Sequence, residues 1–281
     1  DRGAPVIRSR HWHIGVASRN ASAVAKLTLS LSFQGAMRFS IITVSYNNAN
    51  TIADTLRSVA EQTHQDIEHI VIDGASSDAT LQIVRAHGAR VARVISESDQ
   101  GLYDAMNKGL ALVTGQYVGF LNADDLFASP QAIARLADAA STGADAIFGD
   151  LAYVAHDDIN HIVRSWRSGD FRPSSLRFGW MPPHPTFYLK RSLLPALGGF
   201  DFSLKIAADY DFMLRCLLRP GATASYAPHV LVRMRLGGAS NASFTAMLHK
   251  SREDLLVLRR HRVGGWLALA CKNLRKLPQY L

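Results

Sequence analysis

Carboxylates recur where apolar runs stop. The run FSIITVS gives way to Tyr46-Asn47-Asn48, and HIVID closes on Asp73-Gly74. VISE runs into Ser98-Asp99-Gln100-Gly101, and GFLN leads to Ala123-Asp124-Asp125. The runs are rich in β-branched residues, and each breaks off at polar or small ones, the pattern of strands ending in loops. Laid parallel, such strands gather their terminal acids along one edge, where open α/β sheets take nucleotides. A fixed carboxylate such as Asp73 suits the imide N–H of uracil or thymine, or the N1–H and amino group of guanine. Adjacent carboxylates such as Asp124 and Asp125 suit a hard divalent cation, which wants oxygen ligands and shares its shell with phosphate. The chemistry these residues allow is the handling of a nucleotide diphosphate together with Mg²⁺ or Mn²⁺.

The elements that must hold these groups are legible from periodicity. After the strand at 40–45, Ile52, Leu56 and Val59 share one face of a helix over 51–62. A strand at 67–73 precedes a helix over 78–87, where Asp78 is placed to cap. A strand at 91–97 and a helix over 101–114 follow, then a strand at 116–122 and a helix opened by Ser129-Pro130. Successive β–α units predict an α/β protein with a doubly wound, mainly parallel sheet and right-handed crossovers. From 146 the rhythm changes. Residues 150–190, with Trp166, Trp180 and the Met181-PPHP cluster, read as mixed sheet and loop lying across the nucleotide half. Helices are expected at 190–197 and 207–218, and a helical tail at 243–274 interrupted by Gly264-Gly265. The expected organisation is an extension at 1–36, a catalytic domain at 37–240 and a basic helical tail at 241–281.

Composition narrows the function classes. A hydrophobic share of 48% over 281 residues supports one large core, and the net charge is +8. The positive excess sits in residues 1–36 and 259–281, leaving the middle slightly acidic. That distribution does not suit a nucleic-acid binder, whose charge should line the binding face. Two cysteines, Cys216 and Cys271, exclude a disulfide framework and leave a cytoplasmic setting as the expectation. No apolar run is long enough to span a bilayer, and none of the 11 histidines makes a zinc spacing such as HExxH. Met37 stands immediately before the first strand, and residues 1–36 read as contributing nothing to the chemistry.

Taken together, TVSYNN, IDGASSDAT, ESDQGLYDAMNKG, LNADD, PHPTF and GGFDFSLKIAADYDFMLR resemble the family 2 glycosyltransferases, which have the GT-A (nucleotide-diphospho-sugar transferase) fold. The likeness covers residues 39 to about 235, with a closer similarity to bacterial members that decorate surface polysaccharides and their lipid-linked precursors. It implies a nucleotide-sugar donor, a UDP-sugar first, and a glycan or lipid-linked acceptor, with no nucleic acid as partner. It also implies base and ribose contacts at Thr43, Tyr46, Asn47 and Asp73, with Asp99, Gly101, Asn107, Lys108 and Asn122 completing the donor site. The Asn122-Ala-Asp124 triplet resembles the DxD metal motif with an amide in place of its first acid. Asp124 is then the primary ligand, and Asp125 a second ligand or a hydrogen-bonding neighbour. Relatives often carry arginine where Met106 stands, so diphosphate contact there passes to Lys108 or is absent. The proton acceptor from the acceptor hydroxyl maps onto Asp209, Ala208 standing where relatives have Glu. A single base opposite the leaving group implies inversion at the anomeric carbon. His184, stiffened between prolines, matches a histidine near the donor diphosphate or the acceptor.

Several readings stay open at this level. Asp73-Gly74 is also an ordinary turn, Asp78 and Asp104 are also helix-start residues, and Lys108 is also a solvated lysine. Trp180 suits either a sugar ring or the core. The tail, with Leu and Trp beside cations, suits either the surface of a membrane, as a peripheral contact, or a helix covering the domain. A nucleotidyltransferase would need a Gly-rich basic loop after the first strand, and a dehydrogenase a GxGxxG there; TVSYNNANT is neither. A non-catalytic nucleotide-sugar-binding scaffold of the same fold remains the alternative from another class.

Overall fold

The computed structural model describes residues 37–237 and 244–275. Residues 1–36, expected to be an extension, and 276–281 lie outside them.

Four parallel strands form the first half. They are β1 (Phe39–Ser45), β2 (Ile67–Asp73), β3 (Val91–Ser96) and β4 (Tyr117–Phe120), in spatial order β3-β2-β1-β4. β1 is buried along its whole length, and all of β2 but its first residue is buried. That is why both read as near-continuous apolar runs: a parallel strand covered on two faces has no solvent side to alternate with. The crossovers are α1 (Ile52–Ala60), α2 (Thr80–His87) and α3 (Leu102–Leu110). α1 buries Ile52, Leu56 and Val59, the face expected from their spacing. α3 lies against β1 at Gly109, where a Cβ would come within 2.5 Å of Ile42 Cγ2.

The second half is mixed. β5 (Leu126–Phe127) leads to α4 (Ala132–Ala140), then β6 (Ala146–Val154), β7 (Ile162–Trp166), β8 (Tyr188–Lys190), the short α5 (Leu194–Leu197), α6 (Ala208–Leu217) and β9 (Ala224–Arg235). The sheet continues from β4 as β8-β6-β9-β5, with β7 paired to β6. β8 runs antiparallel to both β4 and β6, whereas β6 and β9 are parallel. This is the mixed segment expected across 150–190. The helices α7 (Phe244–Arg260) and α8 (Trp266–Leu274) close the described chain, broken at Gly264-Gly265 as the glycines suggest. Val257, Leu258, Ala268 and Leu269 join the same apolar cluster as Phe212 and Met213 of α6.

Candidate active site

The ends of four strands stand in a row. Glu97 N donates to Asp73 O (3.0 Å), Gly74 N to Ser45 O (2.9 Å), Leu121 N to Ile42 O (3.0 Å) and Ala123 N to Val44 O (3.2 Å). Strands in a sheet are about 4.8 Å apart. The turn after β2 and the turn after β4 therefore flank β1 at about 10 Å, a span that suits the base and the diphosphate of one nucleotide.

At the base end the structure redistributes the expected roles. Asp73 is fully buried, and its oxygens accept from Ser45 Oγ (3.1 Å), Ser76 N (2.9 Å), Ser76 Oγ (2.5 Å) and Ser96 Oγ (2.8 Å). A carboxylate so occupied holds the strand-end loops together instead of facing a ligand. Thr43 likewise differs from expectation, since its hydroxyl is buried against His69 Nε2 (2.9 Å) within the sheet. Burial lowers the pKa of that histidine to about 4, so it is neutral. The Tyr46 ring is exposed and Asp99 is half-buried. They converge on Gly74, where a Cβ would lie 2.5 Å from Asp99 Oδ2 and 3.4 Å from Tyr46 Cδ2. Asn47, at φ 54°, ties two loops: Ser76 Oγ accepts from its amide (2.8 Å), and its own side chain accepts from Ser77 N (2.9 Å). Asp78 accepts from Ala49 N (3.1 Å) and Thr80 N (2.9 Å), a cap that also stitches the two loops.

Along α3 the expected donor contacts are mostly taken. Gly101, at φ 114° and ψ 177°, opens the helix in a conformation that favours glycine. Its amide donates to Asp99 (2.8 Å), and Gln100 N donates to Asp104 (3.0 Å), so the two amides just before the helix already have acceptors. Asn107 clamps Phe200, donating to its carbonyl (2.9 Å) and accepting from its amide (2.7 Å). That two-point bond gives Asn107 a structural partner in place of the expected donor contact. Lys108 reaches Ser98 O (2.8 Å) and Glu97 (3.0 Å). Met106 is buried in the core and offers no contact to a donor diphosphate.

The turn after β4 contains buried oxygens without partners. Asn122 Oδ1 and both Asp125 carboxylate oxygens lack a hydrogen-bond partner. Burial, then the charge of Asp124, pushes the Asp125 carboxyl well above the usual range. Burial also raises Asp124, against the opposing pull of Arg235 and His156. Arg235, itself buried, donates to the Asp124 carbonyl (2.9 Å) and to the Asp54 carboxylate (2.5 Å), pinning the turn. Orphaned buried oxygens are costly, and a divalent cation beside them would supply the missing positive charge. Among the described residues no cluster of three or more His, Cys, Asp or Glu side chains is arranged to hold a metal. An ion here therefore needs phosphate oxygens to complete its shell, which an oxygen-only site permits.

The start of α6 is linked to the end of β4 through His184. Asp209, in its first turn, is half-buried and accepts from Tyr210 N (2.7 Å). The buried His184 ring joins the two sides, stacked on Phe120 at the end of β4 (5.3 Å) and edge-on to Phe200 (5.8 Å). Burial lowers its pKa, and the negative charge of Asp209 opposes that shift. Asp211, two residues on, turns away to Arg215 (2.9 Å), His261 (2.8 Å) and Arg260 (3.3 Å). Burial alone would raise its carboxyl, but hydrogen bonds from His261 and Arg215 outweigh it and hold the pKa at about 2. Phe212 stacks on Phe200 (4.4 Å) and packs the helix as expected. Trp180 is a core residue, donating to Ser168 O (2.8 Å).

Two residues of this region gave no local signal in the sequence. Glu253 of α7 accepts from the amides of Lys205 (2.9 Å), Ile206 (2.8 Å) and Ala207 (2.9 Å), capping the approach to α6 from another helix. Tyr103 O–H holds the same segment through Ile206 O (2.7 Å). Arg235 is the other, and its partners Asp54 and Asp124 are remote along the chain.

Parallel strand ends bordered by a stitched pair of loops, with an acidic turn on one side and an acidic helix start on the other, define the GT-A class of nucleotide-sugar transferases. The profile of glycosyl transferase family 2 matches residues 40–207, and the chain belongs to that family. It is 33% identical over 216 residues to a PGL/p-HBAD biosynthesis glycosyltransferase of Mycobacterium bovis, covering 72% of this chain and 79% of that one. It is 34% identical over 184 residues to an uncharacterized glycosyltransferase of Mycobacterium tuberculosis, covering 64% and 68%. Solved structures of similar fold include TarS of S. aureus in complex with UDP-GlcNAc (TM-score 0.63, 19% identity, 86% of this chain and 71% of that). Another is the mannosyltransferase PcManGT of Pyrobaculum calidifontis with GDP-Man and Mn²⁺ (TM-score 0.59, 20% identity, 92% and 79%). The protein is a glycosyltransferase.

Proposed function

We propose that this enzyme is an inverting, metal-dependent transferase that moves a sugar from a nucleotide diphosphate, a UDP-sugar first, to a hydroxyl of a glycan or lipid-linked glycan in the cytoplasm. Tyr46 and Asp99 receive the base, and Asp73 keeps their loops in place. Asp124, with Asn122 and Asp125 behind it, holds Mn²⁺ or Mg²⁺ against the donor diphosphate. Such an ion neutralises charge that grows on the leaving group. Asp209 takes the proton of the acceptor hydroxyl as its oxygen bonds to the anomeric carbon and the bond to the diphosphate breaks on the opposite face. His184, largely neutral and wedged between Phe120 and Phe200, keeps the two sides of the cleft in register.

The observation that carries this reading is the divergence of Asp209 and Asp211: the second is locked in an ion-pair cluster, leaving the first beside His184. Donor and metal are supported by the ligands of the structures of similar fold, UDP-GlcNAc in one and GDP-Man with Mn²⁺ in another. A thermal-shift panel of UDP-, dTDP- and GDP-sugars with and without Mn²⁺ tests the donor side, because specific binding stabilises the fold. Stabilisation by one donor class that grows with Mn²⁺ is expected. Equal melting in every condition would refute the donor and metal assignments.

A further inference from the structure

Helix α8 is apolar on both sides. Ala268, Leu269 and the aliphatic stem of Lys272 face inward, as a surface helix requires. Trp266, Leu267 and Leu274 face outward and are 68%, 67% and 61% exposed, with exposed Ala270 between them. Their spacing sets all four on one helical stripe. The turn formed by Pro173–Phe178 adjoins this helix, because Gly179 lets the Ala268 carbonyl approach where a Cβ would be 2.5 Å away. It adds the exposed ring of Phe178, whose carbonyl accepts from Arg275 Nε (3.1 Å).

The rim of this patch is cationic. Arg259 lies 5.9 Å from the centre of the Trp266 ring, and Arg262, Arg177 and Arg275 are exposed beside it. No acid occurs after Asp254 in the sequence. Asp254 is engaged by Lys272, and Asp201 and Asp211 are engaged by Arg260. Apolar side chains surrounded by arginines are the composition of a helix lying in a lipid headgroup layer. A second copy of the same face would set arginine against arginine, which opposes a symmetric pairing.

We infer that the outer face of α8, with Phe178, is a docking surface for an anionic lipid bilayer. The inner face of the same helix backs onto the catalytic side: Lys272 Nζ lies 3.5 Å over the ring of Tyr210, the residue after Asp209. Docking therefore sets the start of α6 about one helix diameter, roughly 10 Å, from the lipid surface. That placement rests on the proposed function only in its purpose, which is to present a lipid-linked acceptor to Asp209; the binding itself needs neither donor nor acceptor.

The test is flotation of the full chain, without nucleotide sugar, on phosphatidylcholine vesicles and on vesicles containing phosphatidylglycerol. Preferential binding to the second, weakened by added salt, is expected. The combined Trp266→Ser, Leu267→Ser and Leu274→Ser variant should lose at least about tenfold in partitioning, since each exposed apolar group inserted contributes. Arg259→Gln with Arg262→Gln, which leaves the apolar face intact, should lose roughly fivefold per arginine. Equal partitioning of wild type on neutral and anionic vesicles, or of the variants and wild type, overturns the inference. So does a concentration-dependent dimer in sedimentation that the triple substitution abolishes, which would give the face to a second copy.

Discussion

Asp209 and Asp211 stand two residues apart and should fail in opposite ways. Asp211 is buried, and its pKa falls from an ordinary 3.8 to about 2 in the folded protein. At 1.36 kcal/mol per pKa unit, a shift of a little under two units amounts to about 2 kcal/mol of stability. Because the folded value is depressed, that stability is present above the ordinary carboxylate pKa and is lost as pH falls from near 4 towards 2. Asp211→Asn should therefore cost at least about 2 kcal/mol at neutral pH, with Arg215 and Arg260 left short of a counter-charge. For a domain of this size that is roughly 4–8 °C in melting temperature. Its acid sensitivity between pH 4 and 2 should flatten, while the folded fraction keeps its turnover. Asp209→Asn should show the reverse: melting within a few degrees of wild type, unchanged donor binding, and transfer reduced roughly 10²–10⁴-fold, the worth of a general base. Thermal denaturation across pH and release of nucleoside diphosphate, measured on the same preparations, separate the two. An Asp211→Asn protein that is stable but inactive, beside an Asp209→Asn protein that still turns over, would reverse the assignment and refute the reasoning.

Replacing Glu253 with Ala removes a charge-assisted acceptor from three amides that precede α6, at a cost of about 2–4 kcal/mol in stability. It should lower kcat about tenfold or more with donor KM unchanged, because only the Asp209 side shifts; a lower melting temperature with intact kcat would reduce Glu253 to a structural role. Asp124→Ala should abolish the Mn²⁺-dependent part of nucleotide binding in calorimetry, and an unchanged titration would remove it as a ligand.

The parallel half of the sheet was readable because its physics is local. Buried strands announce themselves in the runs FSIITVS and HIVID, and the helix between them in the spacing of Ile52, Leu56 and Val59. The breaks at Gly101 and at Gly264-Gly265 follow from backbone freedom carried by single residues. Motif order likewise pointed to the family. Motif identity did not give side-chain direction. Asp73 and Thr43 stand where the motif says, yet Asp73 is taken by three serines and Thr43 by His69. Asn107 sits in the expected helix but clamps Phe200, 93 positions away.

What the chain states by itself is therefore the parallel strand pattern, the positions of its acids and the chemical class they serve, since these depend on neighbours within a few residues. What folding alone decides is which acid is available. Asp211 is held by Arg260 at the end of α7 and by His261 just beyond it, the segment before α6 is capped by Glu253 from that same helix, and Asp124 is pinned by Arg235 from the last strand. Each partner lies more than 40 positions away, and a carboxylate's role depends on which charge arrives beside it in space.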